Sequence, residues 1–577
     1  MKANLLALLL VALVVPAGGC RKAPRPQPNA PVGRKVQRSQ DHLQRALDTL
    51  SRYDEFDPQK GLLQAAYHLN RWAEGIGDED GWQPDATLRR LPEPFRSSAQ
   101  VVDLDKRQYT LEDMRFVREA YWMRDLGNWI ARQPTPAGFE QWLADVKKAQ
   151  GEQQAYELGL ALRLFDWTIR NVQLVKLPPY PTIPAGPASK PGEQPPRSPP
   201  EQAIAGPGYT AFPWQTLLFG MGDSWQRARV FTLLARQHQL DVVMLAFEDP
   251  LATPRLRPWL PAALLDDQLY LFDTELGLPI PGPDGAGIAT LRQVRKDAEL
   301  LRSLDVGQEH PYAAARAKLD SLVALIDAAP LALSRRMKLI EANLPSRTPL
   351  VLTLDAARLA DRVGKCEGVG RAELWIVPWE TCLYQAALDA RMETDPALLG
   401  LKLQRDWVFN GMHPLMQGRQ RHFRGLFENE DQKDGGKALY LRTRLPDSVI
   451  NQMETSPETQ AELGIVRGRE NEQEWKIRLQ LQKGIAVQVK HNATYWLGLI
   501  HEDTGNYDAA VSWLKRTLDT KENNAWKAGA RYNLARVYEA QGELEQARKL
   551  LLLDDSPQRH GNLLRARLLR KRLEAKP

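Results

Sequence analysis

In this chain of 577 residues, the stretch GMGDSW (220–225) sets a hydroxyl, Ser224, beside an acid, Asp223, at the start of an apolar-periodic segment. A serine at a helix start is a candidate nucleophile for acyl transfer, but it needs a neutral base to take its proton. The nearest histidine after it, His238, stands fourteen residues on, about 21 Å away along a helix axis. Downstream, RPW (257–259) and YLFDTELG (270–277) supply Arg257 and Asp273. Arg257 stays protonated and cannot be a general base; it either pairs with Asp273 or faces solvent. A guanidinium near a serine would also suit a carboxylate ligand such as a peptide end. A lipase-type elbow fails, because Gln226 stands where its second glycine belongs. Asp223 or Ser224 also reads as a plain helix N-cap. The chain has no P-loop, no His-Glu-x-x-His and no complete dinucleotide glycine motif, so no cofactor is expected. Its three cysteines, at 20, 366 and 382, form no Cys-x-x-Cys pair and cannot frame a disulfide scaffold, so no metal site is expected either.

These residues need elements to hold them. SWQRARVFTLLARQHQ (224–239) has helical periodicity, and DVVMLAF (241–247), WLPAALL (259–265) and QLYLFD (268–273) read as a three-strand meander turning at Asp266-Asp267. Upstream, 39–170 is helical, with stripes at 41–53, 61–75, 111–132 and 155–172. Trp122, Trp129 and Trp167 lie on those stripes and read as core packing. Residues 178–213 hold twelve prolines and read as an irregular excursion. A long helical stretch is expected at 290–345. PLVLTLD (349–355), a helix and AELWIVPW (372–379) suggest a small second α/β element, followed by mostly helical chain to 490.

The order helix, strand, strand near a tryptophan, strand ending in Asp resembles the transglutaminase-like superfamily. That family carries Cys at the helix start, His on the next-but-one segment and Asp or Asn at the end of the following strand. Here the matching positions read Ser224, Arg257 and Asp273, so the resemblance implies a papain-like helix-plus-strands fold with a degenerate triad. Helix 155–172 resembles the segment that family places just upstream. The proline stretch then becomes a loop inside a domain spanning 151–300.

The N-terminus, MKANLLALLLVALVVPAGGC, has Lys2, an apolar run from Leu5 to Val15 and small residues leading into Cys20. Eleven apolar residues reach about 16 Å as a helix, short of the ~30 Å hydrocarbon core. The ending resembles the lipobox of bacterial lipoproteins, although Ala17 stands where the family usually has Leu. The resemblance implies lipidation at Cys20, and Arg21 after it favours the outer membrane. Residues 21–38 follow as a proline-rich tether. In an oxidising compartment, Cys366 and Cys382 either pair or remain two separate buried thiols.

At the other end, YWLGLIHEDTGNYDAAVSWLKRTL (495–518) overlies YNLARVYEAQGELEQARKLLL (532–552) at an offset of 37 residues. Leu497 meets Leu534, Gly498 meets Ala535, Gly505 meets Gly542 and Ala510 meets Ala547. The pattern resembles tetratricopeptide repeats, so neighbouring helices must complete the stack. The tail 559–577 carries seven Lys/Arg against one Glu; it reads as a solvated capping helix or as a contact for anionic polymers or lipid.

The expected fold is α+β and mostly helical. Its parts are a signal peptide (1–20), the tether (21–38), a helical region (39–150), the transglutaminase-like domain (151–300), a helix and small α/β element (301–400), a helical connection (401–490) and the repeats with a capping helix (491–577). Net charge is +6, from 77 Lys+Arg against 71 Asp+Glu, too thin a surplus to imply nucleic acid. The architecture resembles large envelope lipoproteins of planctomycete-type bacteria. It implies a non-catalytic, lipid-anchored scaffold facing the periplasm or cell surface, binding an envelope protein or peptide through the repeat groove and the degenerate cleft. The alternative is an envelope enzyme of the transglutaminase or peptidase class with Ser224 as nucleophile.

Overall fold

The computed structural model describes residues 32–55, 58–76, 81–176, 211–249, 255–315, 317–345, 349–394, 412–521 and 523–574. Cys20 and nearly all of the proline-rich stretch lie outside the described residues. Five longer helices come first among the described residues: α1 (Val32–Ser51), α2 (Pro58–Ala73), α3 (Leu111–Ala131), α4 (Glu140–Gln150) and α5 (Glu152–Asn171). Their apolar stripes are buried, including Leu43, Leu47 and Leu50 of α1 and the indoles of Trp122, Trp129 and Trp167. A capping box between Thr110 and Asp113 starts α3, which satisfies two amides that the first helical turn leaves without partners.

The strand β1 (Gln173–Leu174) follows α5, and α6 (Pro213–Phe219) resumes the described chain ahead of β2 (Met221–Gly222). β1 and β2 pair in parallel, so the two flanks of the proline-rich excursion meet. Then come α7 (Ser224–Arg236), β3 (Asp241–Glu248), β4 (Leu256–Leu265), β5 (Gln268–Asp273) and β6 (Leu278–Pro279). β7 (Leu322–Ile326), α8 (Arg335–Ala342), α9 (Ala356–Val363) and β8 (Val369–Leu374) complete the α/β part.

The meander β3–β4–β5 forms as the sequence suggests, but the sheet is larger. Its order is β6-β5-β4-β3-β7-β8, antiparallel throughout except for the parallel pair β7/β8. Two sequence expectations are corrected here. The stretch 290–345 is not one long helical run: β7 passes through it, and all five of its residues are buried. A strand buried on both faces loses its alternation and cannot be told from a helix by periodicity. Nor is there a separate second sheet: residues 351–355 are not a strand, and β8 adds to the edge of the main sheet through β7.

Side-chain alternation splits the sheet into two faces. Val242, Ala263, Leu265, Tyr270 and Phe272 join the core under α5 and α7. Val243, Leu245, Ala262, Leu264 and Leu271 join a second core with Leu88, Leu91, Phe95, Leu359 and Val363. Three rings key the helices onto the sheet. Phe272 lies 5.1 Å from Phe165 of α5 and 5.1 Å from Phe231 of α7, and those two are 5.6 Å apart.

After α10 (Val377–Met392), the described residues are mostly helical: α11 (Pro414–Phe423), α12 (Gly436–Thr443), α13 (Glu472–Asp503), α14 (Tyr507–Leu518), α15 (Lys527–Ala540), α16 (Leu544–Leu552) and α17 (Arg559–Glu574), with shorter helices and turns between. One apolar core runs from α1 to α17.

Replacing Phe272 by Ala removes the ring shared by both helices. The expected loss is about 3–5 kcal/mol of unfolding free energy. Leu553→Ser, at a side chain 70% exposed, should stay within about 0.5 kcal/mol. Chemical denaturation of both variants checks the contrast.

Candidate functional site

The positions suggested for chemistry do not converge. Asp223, not Ser224, is the N-cap of α7, accepting from the Gln226 amide at 2.9 Å inside a capping box. Ser224 is half-buried in the first turn, and its carbonyl accepts from Thr274 Oγ1 at 2.8 Å. No histidine lies within hydrogen-bond reach of its hydroxyl among the described residues. Phe272 points to the face carrying α7, so Asp273, the next residue, points to the other face. There it accepts from Tyr312 Oη at 2.6 Å and from the amides of Glu275 and Leu276 at 2.9 and 2.8 Å. Trp259 Nε1 donates to the same Tyr312 oxygen at 2.9 Å. Burial raises the Asp273 carboxyl above its ordinary range, against the hydroxyl and amides that stabilise its charge. Arg257 forms no pair with Asp273; it is exposed, with its guanidinium 5.1 Å from the Phe247 ring centre. Of the two possibilities left open for Arg257, the solvent-facing one holds. The expected triad positions therefore form no site: serine on one face of the sheet, acid and arginine on the other.

The cysteines are resolved in the same way. Cys366 and Cys382 are both free. Cys366 packs in the core that holds Leu359 and Val363, whereas the charges felt by Cys382 are those of Arg229, Glu112 and Glu119 on α7 and α3. Burial pushes the two thiols up to about 11 and about 12, which makes both poor nucleophiles.

The repeat positions behave as their spacing requires. Leu497, Ala510, Leu534, Ala535 and Ala547 are all buried. Gly505 and Gly542 both take φ near +70 to +80°, at the turn inside each pair, a conformation that costs other residues strain. A methyl group at Gly498 would stand 2.7 Å from Leu514 Cδ2, so α13 and α14 cross at the closest approach glycine allows. The stack is completed on both sides: α12 packs against α13, and α17 against α16.

What faces the first helix of each repeat is the chain itself. The end of α13, together with α15 and α17, packs onto α5, β1 and the loops after β5. Gln173 of β1 accepts from the Gly529 amide at 2.7 Å and donates to the Ala525 carbonyl at 2.8 Å. His560 of α17 contacts the Leu304 carbonyl at 2.8 Å, and Arg567 donates to the Asp305 carbonyl at 3.2 Å. The basic tail is thus drawn inward: Arg565 and Arg572 both hold Glu539, each at 2.7 Å.

At the centre of this contact lies the C-terminus of α5. A helix end leaves carbonyls unpaired, and here they are buried. Arg227 of α7 donates to the carbonyls of Val172 at 2.7 Å, Ile169 at 3.4 Å and Thr274 at 3.1 Å. Asn533 of α15 donates to the Arg170 carbonyl at 3.0 Å, and Arg419 of α11 to that of Asn171 at 3.4 Å. Arg419 also lies 4.9 Å over the Trp496 ring of α13. Three separate parts of the chain therefore cap one helix, with cations at its negative dipole end. Burial pulls Arg227 down to about 9, still protonated at neutral pH.

Ionic contacts surround the cap. Arg170 reaches Asp503 at 2.9 Å, Glu502 at 3.3 Å and Asp166 at 3.0 Å, and Arg536 holds the other Asp166 oxygen at 2.7 Å. His422 meets Asp503 at 2.9 Å. Burial alone would raise Asp166, but Arg536 and Arg170 bring it down to about 2. Glu502 goes the other way. Burial pushes it up to about 7 in spite of Arg170, and its second oxygen has no partner. Sequence reasoning missed Arg227, Arg419 and Asn533. The available signal was a cation or amide set among apolar neighbours on a helix, as in QRARVF and YNLARV.

Residues 491–552 match the tetratricopeptide repeat family. That match covers the two pairs read from the sequence and supports tetratricopeptide-like repeats at the C-terminal end. No curated protein and no solved structure matches the chain.

Two outcomes follow from the capped helix. Arg227→Leu should cost about 1–3 kcal/mol for each carbonyl left without a donor, read as lost unfolding free energy. For Glu502, the folded pKa lies above the unfolded one, so the folded state holds a proton that the unfolded state has released between about 4.5 and 7. Stability contributed by this group therefore falls as pH rises through that window. Glu502→Gln should flatten that part of the stability-versus-pH curve, leaving the acid limb set by Asp166 in place.

Proposed function

We propose that this protein is an exported, lipid-anchored scaffold of the cell envelope that binds a protein partner and carries no catalysis of its own. The observation that carries the binding role is the tetratricopeptide match over 491–552. Leaving catalysis out rests on Ser224 and Asp273 facing opposite sides of the sheet, with no base at the serine among the described residues. The helix–meander order of α7 and β3–β5 supports reading this part as a degenerate transglutaminase-like unit kept as a platform. The anchor rests on the apolar run and small residues before Cys20, and Arg21 favours the outer membrane, in keeping with the resemblance to planctomycete-type envelope lipoproteins. Because the first helix of each repeat is engaged by the chain itself, the partner meets the outward helices α14 and α16.

Expression of the full chain in a Gram-negative host with an alkyne fatty acid tests the anchor. Wild type should be labelled and sediment with membranes, whereas Cys20→Ala should be unlabelled and released; an unlabelled wild type overturns the anchor. A photo-crosslinking residue at exposed Ser512 of α14 should give a discrete protein adduct in envelope extract. The same residue at exposed Tyr156 of α5 should not, and equal adducts at both would argue against docking on the repeats.

A further inference from the structure

The outward side of the repeats carries cations that form no ion pair among the described residues. Trp513 of α14 is half-buried, and two guanidiniums lie over its ring, Arg444 and Arg516, each 4.7 Å from the ring centre. Arg444, just past α12, donates through Nε to Thr494 Oγ1 of α13 at 2.9 Å. Neither arginine forms an ion pair with an acid among the described residues. The acid that acts on Arg444 is Asp447, whose carboxylate holds Lys490 instead. Burial first and the like charge of Arg516 second pull Arg444 below its ordinary value. On the side of α14 toward α15, Lys515 lies 5.9 Å over the Tyr538 ring, also without an acid partner among the described residues.

Chains normally disperse or pair such charges, since like cations held together repel. Here two guanidiniums share one aromatic ring: Arg516 is exposed, and Arg444 is half-buried with only its Nε committed, to Thr494. Guanidinium forks match the two oxygens of a carboxylate, and the indole supplies apolar surface for the methylenes of Glu. We propose that the patch formed by Arg444, Trp513 and Arg516 is the docking site for an acidic peptide segment of the partner protein. This rests on the scaffold reading above and names the chemistry of its partner. The site is compact and bordered by Asp447 and by exposed Asp519 at the end of α14. That favours a short peptide over an extended polyanion or a membrane surface, which would need a broad basic field.

The probe is a fluorescein-labelled decapeptide alternating Glu and Gly, titrated with the full-length protein and read by fluorescence anisotropy. A Lys–Gly peptide and vesicles containing anionic phospholipid serve as comparisons. The acidic peptide should bind, more weakly as salt rises, and the Lys–Gly peptide should not. Arg516→Ala and Arg444→Gln should each weaken binding by about tenfold, in line with loss of a charged hydrogen bond. Arg516→Lys should restore only part of it, because the charge returns without the fork. Arg516 is exposed, so its replacement should leave thermal unfolding unchanged, which keeps a binding loss from being a folding loss. Unchanged affinity in both variants overturns the site, as does no binding by wild type, or vesicle binding lost in step with the arginines. None of these touches the scaffold reading, which stands or falls on the Ser512 crosslink.

Discussion

The C-terminal turn of α5 is the point on which the rest of the structure depends. Its carbonyls, from Ile169 to Val172, end in the interior, where an unpaired carbonyl is costly. The local sequence offers them neither glycine nor a following turn; β1 begins at once. Partners therefore come from far along the chain: Arg227 from the α/β part, Arg419 from the connecting helices and Asn533 from the second repeat. Each donor is useless to that helix end unless its own element has docked. Docking of the sheet, the connection and the repeats is thereby coupled through one helix end.

The ion pairs around that end have a related logic. Burying a charge costs more than a single partner returns, so isolated buried pairs are weak stabilisers. Here the charges are shared. Asp166 is held by Arg170 and Arg536, Asp503 by Arg170 and His422, and Glu539 by Arg565 and Arg572. Such a network favours one docking geometry, because a shifted repeat would strand several charges together. Glu502 is the member left over. Arg170 is already divided among three acids, so Glu502 is the one that burial drives toward its protonated form.

The parts of this fold legible in the sequence are those whose signal is local. The stripes of α1 to α5, the meander and the paired glycines Gly505 and Gly542 repeat at spacings that the backbone itself imposes. β7 was not legible, because a strand covered on both faces shows five apolar residues and no alternation. The candidate triad failed for a different reason. Spacing along the chain put Asp273 after Ser224 in the expected order, but a strand turns each successive side chain to the opposite face. Once the Phe165–Phe231–Phe272 contact fixes Phe272 under the helices, Asp273 can only point away from Ser224. Residue order is readable; the parity of a strand is set by its tertiary partner.

The same contrast accounts for the repeats. Two tetratricopeptide pairs bury too little to stand alone, and a repeat array usually extends itself until capped. Among the described residues the array has two pairs, and other parts of the chain complete them. α12 covers one side, α17 the other, and α5 with β1 fills the space before the first helices, so α13 is buried on every side from Asn492 to Ile500. A surface committed in this way cannot also receive a partner without undocking α5 and exposing its C-terminal carbonyls. The second helices carry no such commitment. α14 and α16 are amphipathic, each with one face in the core and the other in solvent. Recognition therefore moves to the outside of the stack, where side chains can serve a partner without serving the fold.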